Sequence, residues 1–306
     1  MVEVAEAAML SAMAVFGSSF KGAIMDRSNI TGILYILRFH SAWKRMNSGL
    51  AGAFAAVIIG VFPLVFRDFY FDILNFKTIF YYKTVIILAV VFLIVNGTFL
   101  ILSIYLGYDR TAGRGRQICA SDWSMLDFIL IAGISTLQSA TPAAALLGND
   151  GRYSGLLIWI AYAFMYFAVR RSLRLRQWYL DLFLAAGMAA CAIGILLYFD
   201  IDPIGFRTLM EPAQYYMFTS TIGNINAYTS YAALLSGAST LLFFVEESRI
   251  RKTWYLFCMS VSFFALITGM SDNAYLAILA LIGLLPLYAF QPLKGVPTYP
   301  FLLALP

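Results

Sequence analysis

The sequence predicts an all-α, polytopic transmembrane helix bundle, and three observations predict it. The 306 residues are 61% hydrophobic and only 12% charged, about half the charge of an ordinary soluble domain, so the chain lacks the polar groups to coat its own surface. Eight apolar stretches are long enough to cross a bilayer as helices, which takes roughly 17–25 residues each. The basic residues between those stretches concentrate in alternate connections, as the positive-inside rule requires of a multi-pass protein.

The first 46 residues stand apart from the bundle. Ile33–Met46 mixes Ile36, Leu37, Phe39 and Trp43 with Arg38, Lys44 and Arg45. That pattern fits a helix lying on the cytoplasmic membrane surface against anionic lipid, and it fits a short solvent-facing helix equally well. The opening Glu3 and Glu6 are not the basic start of a signal peptide. Residues 47–306 then form the bundle, with spans at Gly49–Phe66, Thr84–Tyr105, Ser124–Ala140, Tyr153–Val169, Trp178–Phe199, Asn226–Val245, Thr253–Gly269 and Asn273–Phe290. A truncated ninth span starts at Tyr299, so the chain reads as the front part of a longer domain.

With the N-terminus in the cytoplasm, the inner segments hold Lys21, Arg27, Arg38, Lys44, Arg45, Arg110, Arg114, Arg116, Arg170, Arg171, Arg174, Arg176, Arg249, Arg251, Lys252 and Lys294. The outer segments hold Arg67, Lys77, Lys83, Arg152 and Arg207. This 16-to-5 division sets the orientation and accounts for the net charge of +5 without nucleic-acid binding. The expected location is therefore a cell membrane, multi-pass.

Within the spans, Ala185, Ala186, Gly187, Ala189, Ala190, Cys191 and Gly194 are small, which lets helices approach closely and marks that span as central. Asp127 and Asp181 fall within about one turn of the cytoplasmic ends of their expected helices, where an acid pairs with a nearby arginine; Arg174 or Arg176 would serve Asp181. Asn96 and Gln138 are expected to hydrogen-bond between helices. The cysteines Cys119, Cys191 and Cys258 show no paired spacing, so neither a disulfide framework nor a metal site is expected. No G-x-x-x-x-G-K-[ST] loop is present, which argues against an ATP-driven machine.

Three outer segments carry most of the unusual polar residues. They are Gly148-Asn149-Asp150-Gly151-Arg152-Tyr153-Ser154-Gly155-Leu156, the stretch from Asp200 to Asn226, and Ser271-Asp272-Asn273-Ala274-Tyr275. Gly151, Gly155 and Gly223 are turn residues, and Asn226 and Asn273 can cap the helices they precede. All three segments lie at the same expected face. Helix N-termini with an arginine nearby make an anion site.

G-x-x-G-R-Y-x-G-L-L before a span, S-T-x-G-N-x-N-x-Y at the start of a later one, and S-D-x-A-Y after the next resemble, in order and spacing, elements of the O-antigen ligase/polymerase superfamily in its Gram-positive-type members. The resemblance covers roughly residues 148 to 290; upstream only the topology matches. It implies a metal-independent integral-membrane glycosyltransferase without cofactor. Such an enzyme moves an oligosaccharide from a polyprenyl diphosphate to an acceptor glycan or lipid in cell-surface polysaccharide synthesis. On that resemblance Arg152 and Arg207 hold the diphosphate, and Asn224 and Asn226 donate or cap. Asp272 stands where many members carry arginine, and it binds a sugar hydroxyl or caps a helix. The family's catalytic histidine-containing outer loop falls beyond the residues that match, so no catalytic residue is assigned; Asp202 and Glu211 are outer acids that could serve as a base. Two other readings stay open: a multi-span transporter or flippase, and a non-catalytic scaffold of an envelope-synthesis complex.

Overall fold

The computed structural model describes residues 27–105, 118–149, 153–208 and 210–289, and they are mostly helical. Helix α1, Arg27–Ala56, widens into a π turn at Val57–Val61. It ends at Pro63, whose ring removes the amide donor needed to continue. Helix α2 runs from Ile73 to Tyr105. The next helices are α3 (Ala120–Leu137), the short α4 (Pro142–Leu147), α5 (Leu156–Ser172) and α6 (Gln177–Tyr198). After a long connection with a two-residue hairpin, β1 (Phe218–Thr219) against β2 (Gly223–Asn224), come α7 (Ile225–Val245), α8 (Arg249–Gly269) and α9 (Asp272–Ala289).

Five helices are long and apolar enough to cross a membrane: Ile73–Ile104, Ala120–Leu137, Gln177–Tyr198, Ile225–Val245 and Arg249–Gly269. The other three expected spans fall on the end of α1 with its π turn, on α5 and on α9, whose described parts are shorter or less apolar than that. Residues 1–26 and 290–306, including the expected ninth span from Tyr299, lie outside the described residues.

Several expectations need correcting. Ile33–Met46 is not a separate helix but part of the continuous α1. Helix α2 starts eleven residues before the expected Thr84 and takes in Lys77 and Lys83; Lys77 is buried and Lys83 exposed. At 33 residues it is about 50 Å long, well beyond the roughly 30 Å hydrocarbon thickness. Helix α3 starts at Ala120, so Asp127 is its eighth residue of eighteen and lies near the middle, not in the first turn. A charge at that depth costs roughly 2.5–3.5 kcal/mol on insertion scales. Gln138 ends α3 exposed, with no side-chain hydrogen bond among the described residues.

The small-residue stretch behaves as expected. Helix α6 is the most buried of the five apolar helices, and it packs against α7 and α8 on one side and against α1 and its π turn on the other. Glycines set the distances. A Cβ on Gly187 would overlap Leu235, and one on Gly194 would overlap the Tyr228 ring. On the other side, Gly52 receives the Tyr179 hydroxyl and Gly60 the Leu182 side chain. Tyr228, Tyr255, Leu184, Leu235, Leu266 and Cys191 are fully buried between α6, α7 and α8.

Polar locks fasten the helix ends. Asn96 of α2 bonds Asn47 of α1 at 3.0 Å and accepts from the Trp43 indole at 3.1 Å, the interhelical role expected of it. Arg170 of α5 forms a buried ion pair with Asp122 of α3, and it donates to Cys119 Sγ at 2.7 Å and to the Tyr166 hydroxyl at 3.0 Å. Asp181 is held by Arg251 at 2.6 Å, not by Arg174 or Arg176. Its partner comes from α8, a neighbour in space that the sequence order hides.

If these close contacts hold α6 in place, Gly194→Val should force Tyr228 aside at an overpacking cost of about 1–3 kcal/mol. The expected result is a lower thermal unfolding midpoint in mild detergent. Gly97→Ala, where a Cβ meets nothing within 4 Å, should leave the midpoint unchanged or slightly raised.

Candidate functional site

The site is built where α6 ends and α7 begins. Asp202 accepts from the amides of Gly205 at 2.8 Å and Arg207 at 2.7 Å, and Gly205 supplies the positive φ of +83° that this turn requires. The next side chain, Phe206, is driven into an aromatic nest. It stacks on Tyr70 at 4.9 Å between ring centroids and lies 4.8 Å from Phe66. Anchoring Phe206 places Arg207 at the rim. The Arg207 guanidinium lies 4.7 Å from the Tyr215 ring, and Nη1 donates to Asp200 at 2.8 Å. Asp200 itself is 88% exposed.

Two donors in this nest lack an acceptor. Arg207 Nε and the Tyr70 hydroxyl are buried without a hydrogen-bond partner. Burial raises the Tyr70 phenol, the Asp202 charge adds to that, and Arg207 opposes it, so the hydroxyl stays protonated as a donor. Burial also raises Asp202, but the amides of Arg207, Phe206, Gly205 and Ile204 together outweigh it and hold the carboxyl below its ordinary value. An acid so engaged is a poor general base.

A buried cation lies next to the hairpin. Ser220, in a left-handed conformation at φ +59°, donates to the Ala190 carbonyl of α6 at 2.6 Å. Thr221 donates to the Pro63 carbonyl at 2.8 Å, and Lys77 Nζ reaches the same oxygen at 3.3 Å. Lys77 is only 8% exposed, lies 5.4 Å from the Phe62 ring, and has no carboxylate within ion-pair distance among the described residues. Gly223, at φ +96°, lets β2 pass Ile73, which would stand 3.1 Å from an added Cβ.

The expected site residues divide accordingly. Arg207, Asn224, Asn226 and Asp272 gather at one end of the bundle. Asn224 is the cap of α7, accepting from the amides of Asn226 at 2.9 Å and Ala227 at 3.4 Å; Asn226 is exposed inside the helix and caps nothing. Asp272 opens α9, also exposed. The α9 cap is Ser271 rather than Asn273: its hydroxyl accepts from the Ala274 amide at 3.3 Å and bonds Thr229 of α7 at 2.7 Å, which aligns the two helix starts. Arg152 and Gly151 lie outside the described residues. Gly155 presses against the backbone of Gly148, itself at φ +87°, beside a shallow pocket of about 320 Å³ lined by Thr141, Ala144, Ala145, Gly148, Asn149 and Ser154. Among the described residues, no hydrogen bond, ion pair or ring contact joins this turn to the Asp200–Asn224 connection. The Thr229–Ser271 bond joins the helix starts that carry the other two segments.

Sequence reasoning missed Lys77 and Tyr70. A signal for Lys77 existed: no acid stands at positions 73, 74, 80 or 81, the helix neighbours that would pair with it. Tyr70 had none, because its role depends on packing with Phe206 from a distant segment. Among the described residues no three His, Cys, Asp or Glu side chains cluster closely enough to hold a metal ion. Comparisons with protein-family models, with curated proteins and with solved structures returned no match to the chain.

Because folding depresses Asp202, its grip on the turn is complete above the ordinary carboxylate range and is lost as pH falls through the lowered value. Hydrogen exchange should report protected Gly205 and Arg207 amides at neutral pH. Once corrected for intrinsic rates, that protection should fall below about pH 4. Asp202→Asn should weaken the protection at neutral pH and flatten the pH dependence.

Proposed function

We propose that this chain is an integral-membrane glycan ligase- or polymerase-like protein, binding an oligosaccharide on a polyprenyl diphosphate and passing it to an acceptor in cell-surface polysaccharide synthesis. The observation that carries this reading lies at one end of the bundle: a buried Lys77 that bonds one carbonyl and has no counter-ion among the described residues, with Arg207 Nε and the Tyr70 hydroxyl unpartnered nearby. Buried donors of this kind are costly unless an acceptor arrives. A diphosphate brings many acceptor oxygens and two or more negative charges, and its headgroup sits at the membrane surface where these residues would meet it. Charge stabilisation of the departing diphosphate is then the main catalytic task.

On this reading the chain crosses the membrane eight times with its N-terminus in the cytoplasm, following the 16-to-5 division of basic residues. The Lys77–Arg207 end then faces outward. Asp200, exposed and paired to Arg207, is a displaceable stand-in for the anion. Asn224 keeps the α7 start rigid beside it, and Asn226 and Asp272, exposed at neighbouring helix starts, are placed to bind sugar hydroxyls. Arg152 belongs to this reading through the motif resemblance alone.

The test uses the full-length protein in cells that make the polymer. Lys77→Ala or Arg207→Ala should cut surface polymer about tenfold or more, the effect of losing one charge-assisted hydrogen bond, with membrane insertion intact by reporter fusions. Lys77→Arg should retain part of the activity. Full polymer from both alanine variants would remove this site from the reaction.

A further inference from the structure

Helix α3 is the least buried of the five apolar helices. It packs on α5, and Asp122, Met125, Ile129, Ala132 and Thr136 are its less exposed residues at three- and four-residue spacing. The opposite side carries Ser124, Asp127, Ile131, Ile134 and Gln138 at the same spacing, all exposed, with Ser135 next to them. A helix side that meets only lipid carries apolar groups. This one carries four of the helix's polar side chains, one of them an acid.

Asp127 is about 10 Å into a helix about 27 Å long, has no hydrogen-bond or ion-pair partner among the described residues, and is fully on the surface of the bundle. The other acids within the five apolar helices do not share this situation. Asp122, one face round on the same helix, is buried against Arg170, and Asp181 is held by Arg251. An unpaired carboxylate at mid-depth faces the full cost of removal from water unless something covers it.

We propose that the Ser124–Asp127–Ile131–Gln138 side of α3 docks a transmembrane helix of a partner protein that carries a lysine or arginine at mid-depth. Charge decides the occupant. A second copy meeting this face across a two-fold axis along the membrane normal would set Asp127 against Asp127, two like charges in apolar surroundings. A basic residue on the partner relieves the cost of its own insertion and that of Asp127 together. Ser124, Ser135 and Gln138 would bond the same helix above and below. This proposal does not depend on the glycan reading and stands or falls separately from it.

The test places a photo-crosslinking amino acid at position 131 in the full chain, in host membranes. The probe is a polyleucine membrane helix with one central lysine, and the control is the same helix without it. The expected result is crosslinking to the lysine helix only, reduced at least tenfold by Asp127→Asn, a surface change that should leave the protein's migration in mild detergent unaltered. Equal crosslinking of both helices, no crosslinking of either, or insensitivity to Asp127→Asn overturns the proposal. So does a crosslink to a second copy or to another segment of this same chain. As an independent check, Asp127→Cys should resist a water-soluble maleimide in intact membranes; ready modification would place the position in water, needing no partner, and would overturn the proposal.

Discussion

The rest of the structure depends on how closely α6 approaches its neighbours. Gly187 and Gly194 admit Leu235 and Tyr228 from α7, and Gly52 and Gly60 on the other side admit Tyr179 and Leu182 from α6. Without a hydrophobic force between helices in lipid, such contacts are where packing energy comes from. They make α6 the shared wall of two groups, α1 with α2, α3 and α5 on one side and α7 to α9 on the other. The position of the α6 end therefore fixes everything in the connection that follows it.

That connection is tied down at its hairpin by two backbone carbonyls. Ser220 bonds Ala190 of α6, and Thr221 bonds Pro63 at the end of α1. Pro63 is the last point of its helix, so its carbonyl points out of the ladder and can accept from Lys77 as well. Phe206 completes the anchorage by entering the Tyr70 and Phe66 rings. Arg207 is thus positioned by its neighbour's burial and by Asp202's hold on its own amide, while its guanidinium remains at the rim. A loop long enough to be flexible is instead held at several points, leaving a few donors unspent.

The sequence made the helical membrane character, the central place of α6 and the Asn96 contact legible, because each rests on composition, spacing or connectivity along the chain. It hid whatever depends on which helices become neighbours. Asp181 looked for a partner in Arg174 or Arg176, close in sequence, and found Arg251 seventy residues away. The true cap of α9 was two residues before the obvious asparagine because Ser271 also had Thr229 to bond. Helix α2 was read short because two lysines look like a boundary on a hydropathy scale, which takes no account of a carbonyl waiting at Pro63.

The contrast between the two ends of the helices gives the Lys77–Arg207 region its meaning. At the Arg170 and Arg251 ends, buried or half-buried cations are matched: Arg170 meets Asp122, and Arg251 meets Asp181 with Glu246 3.7 Å from its Nε. Losing one partner of such a pair strands the other charge, which makes these contacts stabilising only as complete sets. At the other end the most buried cation, Lys77, is bonded to one carbonyl and has no acid, Arg207 leans on an almost fully exposed Asp200, and Tyr70 has nothing to donate to. The chain is not short of acids near Lys77; Asp72, Asp202 and Glu211 stand in the neighbouring connections. Asp72 bonds Arg67, and Asp202 is spent on backbone amides. The unmatched donors are thus a feature of how the chain distributes its acids, and on the proposed function the lipid diphosphate is the partner that would complete them.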